Sequence, residues 1–142
     1  HNWKAYSTSC ISDKAAILKN EKSSYSYDFV AMDIETGEVT AIDQSENAGN
    51  PVFWDSNTLL FSSTSDLYKY SFETKTSELI REFPASIEGI YLFKGNIVLC
   101  FNNRFVIMDS NNLNGEFLFA EQTREKFKNM MVLEDKTLIL VS

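Results

Sequence analysis

The sequence contains few residues that could act in nucleophilic catalysis or bind a metal ion. The single histidine is His1, at a terminus, where chains are usually mobile, so a serine or cysteine nucleophile would have no positioned imidazole base. No Gly-x-Ser-x-Gly motif occurs, although hydrolases that place their serine on a strand-to-helix turn use one. A zinc site would need three or four Cys or His ligands, and His1, Cys10 and Cys100 are far apart in sequence. We therefore expect no catalytic residue and no metal site.

Cofactor motifs give the same result. The chain contains five glycines, and neither the phosphate-binding loop nor the dinucleotide fingerprint is present, so we expect no cofactor. Asp33, Glu35 and Glu38 are spaced somewhat like the start of a calcium loop, but the sixth position, where glycine is required, is Glu38. A solvated hairpin turn is the alternative for these carboxylates, and it is the one that we favour.

The sequence contains better candidates for a binding surface than for a catalytic or metal site. Tyr25 and Tyr27 lie in the polar segment 20–27 (NEKSSYSY), which reads as a loop, and exposed tyrosines in loops are frequent at binding surfaces. Asp66 and Arg104 lie at the ends of two further predicted loops. We expect Tyr25, Tyr27, Asp66 and Arg104 to lie nearer a partner than Glu35 or Lys75 do. A plain solvated rim is the alternative for each of the four, and Tyr25 and Tyr27 could also pack their loop on the fold.

Composition limits the kind of partner. The chain has 142 residues, of which 44% are hydrophobic, and a formal net charge of −7. This is enough for one domain with a real core, while the negative charge argues against nucleic acid as a partner. No apolar run approaches the roughly 20 residues of a membrane-spanning helix. We expect other proteins as partners, no nucleic acid and no membrane span.

The two cysteines, Cys10 and Cys100, are too few for a disulfide framework. Both lie in apolar, strand-like segments, which favours buried thiols over a bridge. The absence of an Asn-x-Ser/Thr acceptor agrees weakly with an intracellular location, and the sequence leaves the compartment open.

An internal repeat organises the chain. Residues 29–42, 67–80 and 105–119 each read as an apolar strand, a polar turn and a second strand, and they start 38 residues apart. A further strand pair precedes each copy, and another such pair closes the chain at residues 130–141. The sequence therefore predicts units of four short strands, near residues 6–43, 50–83 and 88–121, with a partial unit over 129–142.

Strand composition selects the fold class. The runs are short, rich in Leu, Ile, Val and Phe, and bounded by turn residues. Segments such as 29–32 (FVAM) and 105–108 (FVIM) are apolar at consecutive positions, so both sheet faces must be covered. An all-β fold follows, with a β-propeller as the prediction and a single β-sandwich as the alternative. A sandwich does not require a period of 38 residues.

The turns carry a family resemblance. Residues 12–18 (SDKAAIL) and 28–39 (DFVAMDIETGEV) resemble the blades of TolB-like and prolyl-oligopeptidase-type propellers, in which a Ser-Pro-Asp-Gly-Lys turn leads the second strand and Asp ends the third. Residues 51–62 and 66–70 repeat that order. The Pro and Gly of the turn are missing here, and Trp54-Asp55 does not end a third strand as in WD40 repeats. The resemblance implies an architecture and leaves open a divergent WD40-like set of blades.

About three and a half blades cannot close a ring, because propellers use four to eight. We expect either a portion of a larger propeller, completed by other sequence or by a partner, or a small propeller whose last blade mixes chain ends. The expected function is a non-catalytic protein-interaction scaffold within a larger assembly. The alternative, implied by the prolyl-oligopeptidase resemblance, is an accessory propeller that gates substrate entry to a hydrolase domain elsewhere.

Overall fold

The computed structural model describes residues 6–122, 129–133 and 137–141, and over these ranges the chain is built from strands. Three four-stranded antiparallel sheets and one two-stranded hairpin account for them. The all-β, antiparallel fold class predicted from the short apolar runs is therefore confirmed. No helix in the described ranges is long and apolar enough to cross a membrane.

Every four-stranded sheet has its strands in sequence order, and the longest connection within a sheet, residues 109–118, joins the third sheet's last two strands. The first sheet contains β1 (Tyr6–Ile11), β2 (Ala15–Ser23), β3 (Ser26–Asp33) and β4 (Val39–Ala41). The second contains β5 (Gly49–Asp55), β6 (Thr58–Ser63), β7 (Asp66–Ser71) and β8 (Thr76–Glu82). The third contains β9 (Gly89–Phe93), β10 (Asn96–Cys100), β11 (Arg104–Met108) and β12 (Phe119–Gln122). The hairpin consists of β13 (Asn129–Leu133) and β14 (Thr137–Val141).

The chain divides into two compact units, and the second sheet contributes to both. Unit 1 comprises His1–Ser63 and Tyr68–Glu78, and unit 2 comprises Thr64–Leu67 and Leu79–Ser142. Within unit 1 the first strands of the first two sheets, β1 and β5, lie beside each other. Within unit 2 the same relation holds between β9 and β13.

The core of unit 1 explains the consecutive apolar positions of β2 and β3. Ile17 and Phe29 belong to a buried cluster that also contains Leu59 and Phe61 of β6. On the opposite face of the first sheet, a second cluster consists of Ala16, Leu18 and Val30. Because neighbouring residues of a strand point to opposite faces, both faces of this sheet are covered, as its sequence predicts.

The core of unit 2 also contains buried side chains on both faces of a sheet. In β10 and β11, Val98, Cys100 and Phe105 form a buried cluster, with the half-buried rings of Tyr91 and Phe93 packed against it. Residues that alternate with these, such as Leu99 and Val106, are fully buried as well. The central strands of the third sheet are therefore covered on both sides, as expected from the run at residues 105–108.

The two hairpins that join the third and fourth strands in the first two sheets have equivalent geometry but different residues. In the first, the Gly37 N–H donates to the Asp33 carbonyl over 2.8 Å and φ of Gly37 is +72°. In the second, the Lys75 N–H donates to the Ser71 carbonyl over 2.8 Å and φ of Lys75 is +57°. The left-handed position predicted for Gly37 is confirmed, and in the second hairpin a lysine occupies it.

This difference predicts opposite effects of two substitutions. Lys75→Gly should raise the free energy of unfolding by about 1 kcal/mol, because a residue with a Cβ is strained at positive φ and glycine is not. Gly37→Ala should lower it by about as much, and a Cβ there would meet no atom within 4 Å, so the cost is conformational. Urea unfolding of both variants measures the two shifts; a change of the same sign in both would contradict the assignment.

Candidate functional site

The segment that contains Tyr25 and Tyr27 is a hairpin rather than the predicted loop. Strand β2 extends to Ser23 and β3 begins at Ser26, so the connection between them is two residues long. Its polar side chains pair across the strands: the Asn20 amide donates to Asp28 over 2.9 Å, and the Lys22 ammonium lies 3.3 Å from the same carboxylate. Polar composition indicates a loop only when such side chains lack partners, and here the neighbouring strand provides them.

Tyr25 lies at the tip of this hairpin and is 93% exposed. Its backbone N–H donates to the Ser23 hydroxyl over 3.3 Å, which fixes the turn. The phenol ring is therefore presented to solvent on a short, hydrogen-bonded connection. This placement agrees with a surface role for Tyr25.

Tyr27 is held by the fold. Its hydroxyl donates to the Ala48 carbonyl over 2.5 Å, and its N–H donates to the Asn47 side chain over 3.1 Å. The ring packs against the unit 1 core, with the Lys19 ammonium 4.0 Å from its centroid. Tyr27 thus anchors the hairpin, which is the packing alternative that the sequence left open.

These placements predict that the two tyrosines respond differently to replacement by serine. Tyr25→Ser should change the free energy of unfolding by less than about 0.5 kcal/mol. Tyr27→Ser should lower it by about 2 kcal/mol, because the hydroxyl bond and the ring contacts are both lost. Tyr27→Phe, which removes the hydroxyl alone, should fall between them. Equal thermal unfolding temperatures for the two serine variants would contradict this assignment.

Asp66 and Arg104 belong to unit 2, and each is the first residue of the third strand of its sheet. Both are half-buried. Two backbone hydrogen bonds hold the turn before Asp66. The Ser65 carbonyl accepts the Phe83 N–H over 2.9 Å, and the Thr64 carbonyl accepts the Ile87 N–H over 2.8 Å. The connection before Asp66 is therefore fixed by hydrogen bonds. Arg104, in contrast to Asp66, lines a cavity.

The cavity next to Arg104 is lined mainly by aromatic and aliphatic side chains and measures about 100 Å³. The rings of Phe83 and Phe101 are 5.4 Å apart between centroids, and Phe83 and Phe117 stack at 6.4 Å with an interplanar angle of 16°. The Arg104 guanidinium lies 5.7 Å from the Phe117 ring centroid. We call this feature the phenylalanine pocket: Phe83, Phe101 and Phe117, with Arg104 at the side.

Arg81 fixes one wall of the phenylalanine pocket. Its guanidinium donates to the carbonyls of Leu113 and Gly115 over 3.1 and 2.9 Å, and it lies 4.5 Å from the Phe117 ring centroid. Both hydrogen bonds come from one terminal nitrogen of the guanidinium, which carries two N–H donors, so one side chain holds the segment before Phe117 and lies against that ring. Arg81 thus has a structural role, whereas Arg104 has no ion-pair partner among the described residues.

Sequence reasoning selected Arg104 but missed Phe83, Phe117 and Arg81. Phe83 follows β8 directly and Phe117 precedes β12 by two residues, so both looked like ordinary positions near strand ends. A faint signal was the spacing of Arg81 and Phe83, which places both side chains on one face of an extended segment. Nothing in the sequence paired that face with Phe117.

Of the carboxylates that suggested a calcium loop, that of Asp33 has a local role. The Asp33 side chain accepts the N–H groups of Glu35 and Thr36 over 2.9 and 3.0 Å, which stabilises the hairpin turn. Among the residues that the structure describes, no three His, Cys, Asp or Glu side chains are grouped so that they could hold a metal ion.

A second cavity, in unit 1, measures about 230 Å³ and has a mixed rim. Lys14 and Lys75 stand on the rim together with Asp33 and Glu38, and the buried ring of Tyr70 contributes to the wall. Burial and the Asp43 carboxylate raise the pKa of the Tyr70 phenol, in that order, so this group stays neutral. Equal numbers of ammonium and carboxylate groups give the rim no preference for a charged ligand.

Both cysteines are thiols, as expected, and neither forms a disulfide. Burial raises the pKa of Cys10 to about 11 and that of Cys100 to about 12. Because the thiolate is the reactive form, these residues are poor nucleophiles at neutral pH. Cys100 belongs to the buried cluster of unit 2, whereas Cys10 is half-buried and packs against the core of unit 1.

No protein-family model matches the chain, and no curated protein matches its sequence.

Proposed function

We propose that this chain is a non-catalytic protein-interaction scaffold that binds a partner at the phenylalanine pocket. The observation that carries the proposal is the arrangement of Phe83, Phe101 and Phe117 around a cavity of about 100 Å³ beside Arg104. Aromatic residues and arginine are the side chains most enriched at the centres of protein interfaces. A cavity that already exists in the unbound protein receives a partner side chain without first reorganising.

The scaffold that presents this pocket is, in our proposal, a portion of a β-propeller. Three observations support it: the sheets have four strands each, the strands follow sequence order, and the first strands lie together within each unit. First strands meet in this way when blades are arranged around an axis. Such a scaffold fixes the connections between the second and third strands, and these connections carry Tyr25 at one hairpin tip and Arg104 at the end of another.

Cross-linking from the mouth of the phenylalanine pocket tests the proposal. A photoreactive benzoylphenylalanine at Asn103, an exposed residue that lines the cavity, should cross-link discrete proteins in the cell that expresses the chain. Ala85→Phe in the same chain should abolish these products, because Ala85 also lines the cavity and the added ring fills it.

The matched control is Ser86→Phe, which adds the same ring at the next residue, exposed and outside the cavity lining. It should leave the cross-links unchanged. A second control places the photoreactive group at Glu35, in the exposed turn between β3 and β4. Products that survive Ala85→Phe, or that form equally well from Glu35, would contradict the proposal.

A further inference from the structure

The phenylalanine pocket has a size and a charge that indicate the chemistry of its ligand, and this inference rests on the proposed function. We propose that it binds a partner segment in which an aliphatic side chain stands next to a carboxylate, with Arg104 binding the carboxylate. The aliphatic group enters between the rings of Phe83, Phe101 and Phe117.

The volume favours a small apolar group over a large fused ring. The cavity measures about 100 Å³, whereas a dry protein cavity that accepts benzene measures about 150 Å³. An indole, which is larger than benzene, therefore does not fit without displacement of the walls, and a branched aliphatic side chain is the smaller apolar occupant. The walls resist displacement, since Phe101 and Val106 are buried and Arg81 holds the chain before Phe117.

The apolar lining makes this occupant favourable. Besides the three rings, Val106 and Pro84 contribute to the walls, and an aliphatic group placed there exchanges contact with water for contact with carbon atoms. Asn102 and Asn103 lie at the mouth and are exposed. The cavity thus has an apolar interior and a polar entrance, as ligand sites that accept an apolar group with a polar neighbour usually do.

The charge at the entrance is positive. Among the described residues that line the cavity, Arg104 is the one with a formal charge. Arg81 adds a second guanidinium 4.5 Å from the Phe117 ring centroid, and one of its terminal nitrogens donates to two backbone carbonyls. The two cations lie beside the same ring in a chain of net charge −7. A carboxylate is the polypeptide group that pairs with the fork geometry of arginine.

Peptide-induced shifts of the ring resonances in the phenylalanine pocket test the inference. The probes are three blocked tetrapeptides, acetyl-Gly-Leu-Asp-Gly-amide, the same peptide with Asn for Asp, and the same peptide with Trp for Leu. Added to the whole 142-residue chain, the Leu-Asp peptide should shift the ring resonances of Phe83, Phe101 and Phe117 in NMR spectra. The Leu-Asn peptide should bind about fivefold more weakly, and the Trp-Asp peptide should not shift these rings.

Two variants assign the carboxylate preference to Arg104. Arg104→Gln should make the Leu-Asp and Leu-Asn peptides bind equally, and Arg104→Lys should restore part of the difference, since it keeps the charge but not the fork. Unchanged dispersion of the core ring signals shows that both variants are folded. Equal affinity of the two leucine peptides for the unaltered protein, or no ring shift with either, would overturn the inference. The cross-links from Asn103 would still decide the proposed function, because they do not depend on these probes.

Discussion

Phe61→Ala is expected to lower the free energy of unfolding by about 3–5 kcal/mol. The Phe61 side chain is fully buried, and its ring stacks on that of Tyr68 with centroids 5.4 Å apart and planes within 5°. It also belongs to the cluster that joins the first two sheets in unit 1. Small domains are stable by only about 5–15 kcal/mol, so this one truncation removes a large part of the total.

The measurement is equilibrium unfolding in urea, followed by circular dichroism in the far ultraviolet. Phe119→Ala is the matched control, because Phe119 is 46% exposed on β12 and its ring contacts Phe105 on one side. It should cost about 1 kcal/mol or less. A loss at Phe61 no larger than the loss at Phe119 would show that the unit 1 core is not packed around Phe61.

The Cys100 thiol is expected to react with Ellman's reagent at pH 8 at least about 50-fold more slowly in the folded protein than in the unfolded chain. Burial raises its pKa from 9.0 to about 12, which lowers the thiolate fraction roughly a thousandfold. A more basic thiolate is a better nucleophile, and over three pKa units this recovers roughly twentyfold. The net factor is about 50, and the burial of Cys100, which is 4% exposed, slows the reagent further.

The same pKa shift gives stability a pH dependence of known sign. A thiol with a raised pKa in the folded state keeps its proton while the unfolded chain loses one, so stability is full below about pH 9 and falls as the pH rises toward 12. Cys100→Ala should flatten this part of the curve. Cys10, with a pKa of about 11, should react faster than Cys100 in single-cysteine variants. Equal rates in the folded and unfolded protein would contradict the buried placement.

Local chemistry allowed much of the scaffold to be predicted from the sequence. Strand segments such as residues 29–32 were recognisable because consecutive apolar residues between polar turns suit a sheet that is covered on both faces. The left-handed turn at Gly37 was predictable because only glycine adopts positive φ without strain. These features depend on a few neighbouring residues, and the structure agrees with them.

The prediction of a loop over residues 20–27 was wrong, because this segment forms most of a hairpin. Its polar composition resembles a loop, yet Asn20 and Lys22 pair with Asp28 on the next strand. A pattern read along one strand does not show what the adjacent strand provides. The same limit applies to Tyr27, whose hydroxyl partner, the Ala48 carbonyl, lies 21 residues away.

By itself the sequence determined an all-β chain of short antiparallel strands and placed Arg104 at the end of a connection, because strand length, turn residues and apolar runs act over short distances. Only the tertiary structure decided that Arg104 lies beside a pocket. Phe83, Phe101 and Phe117 come from three separate segments of the chain. The centroid of the Phe83 ring lies 5.4 Å from that of Phe101 and 6.4 Å from that of Phe117. Which side chains share a cavity depends on how separate strands pack together, and no local pattern encodes that.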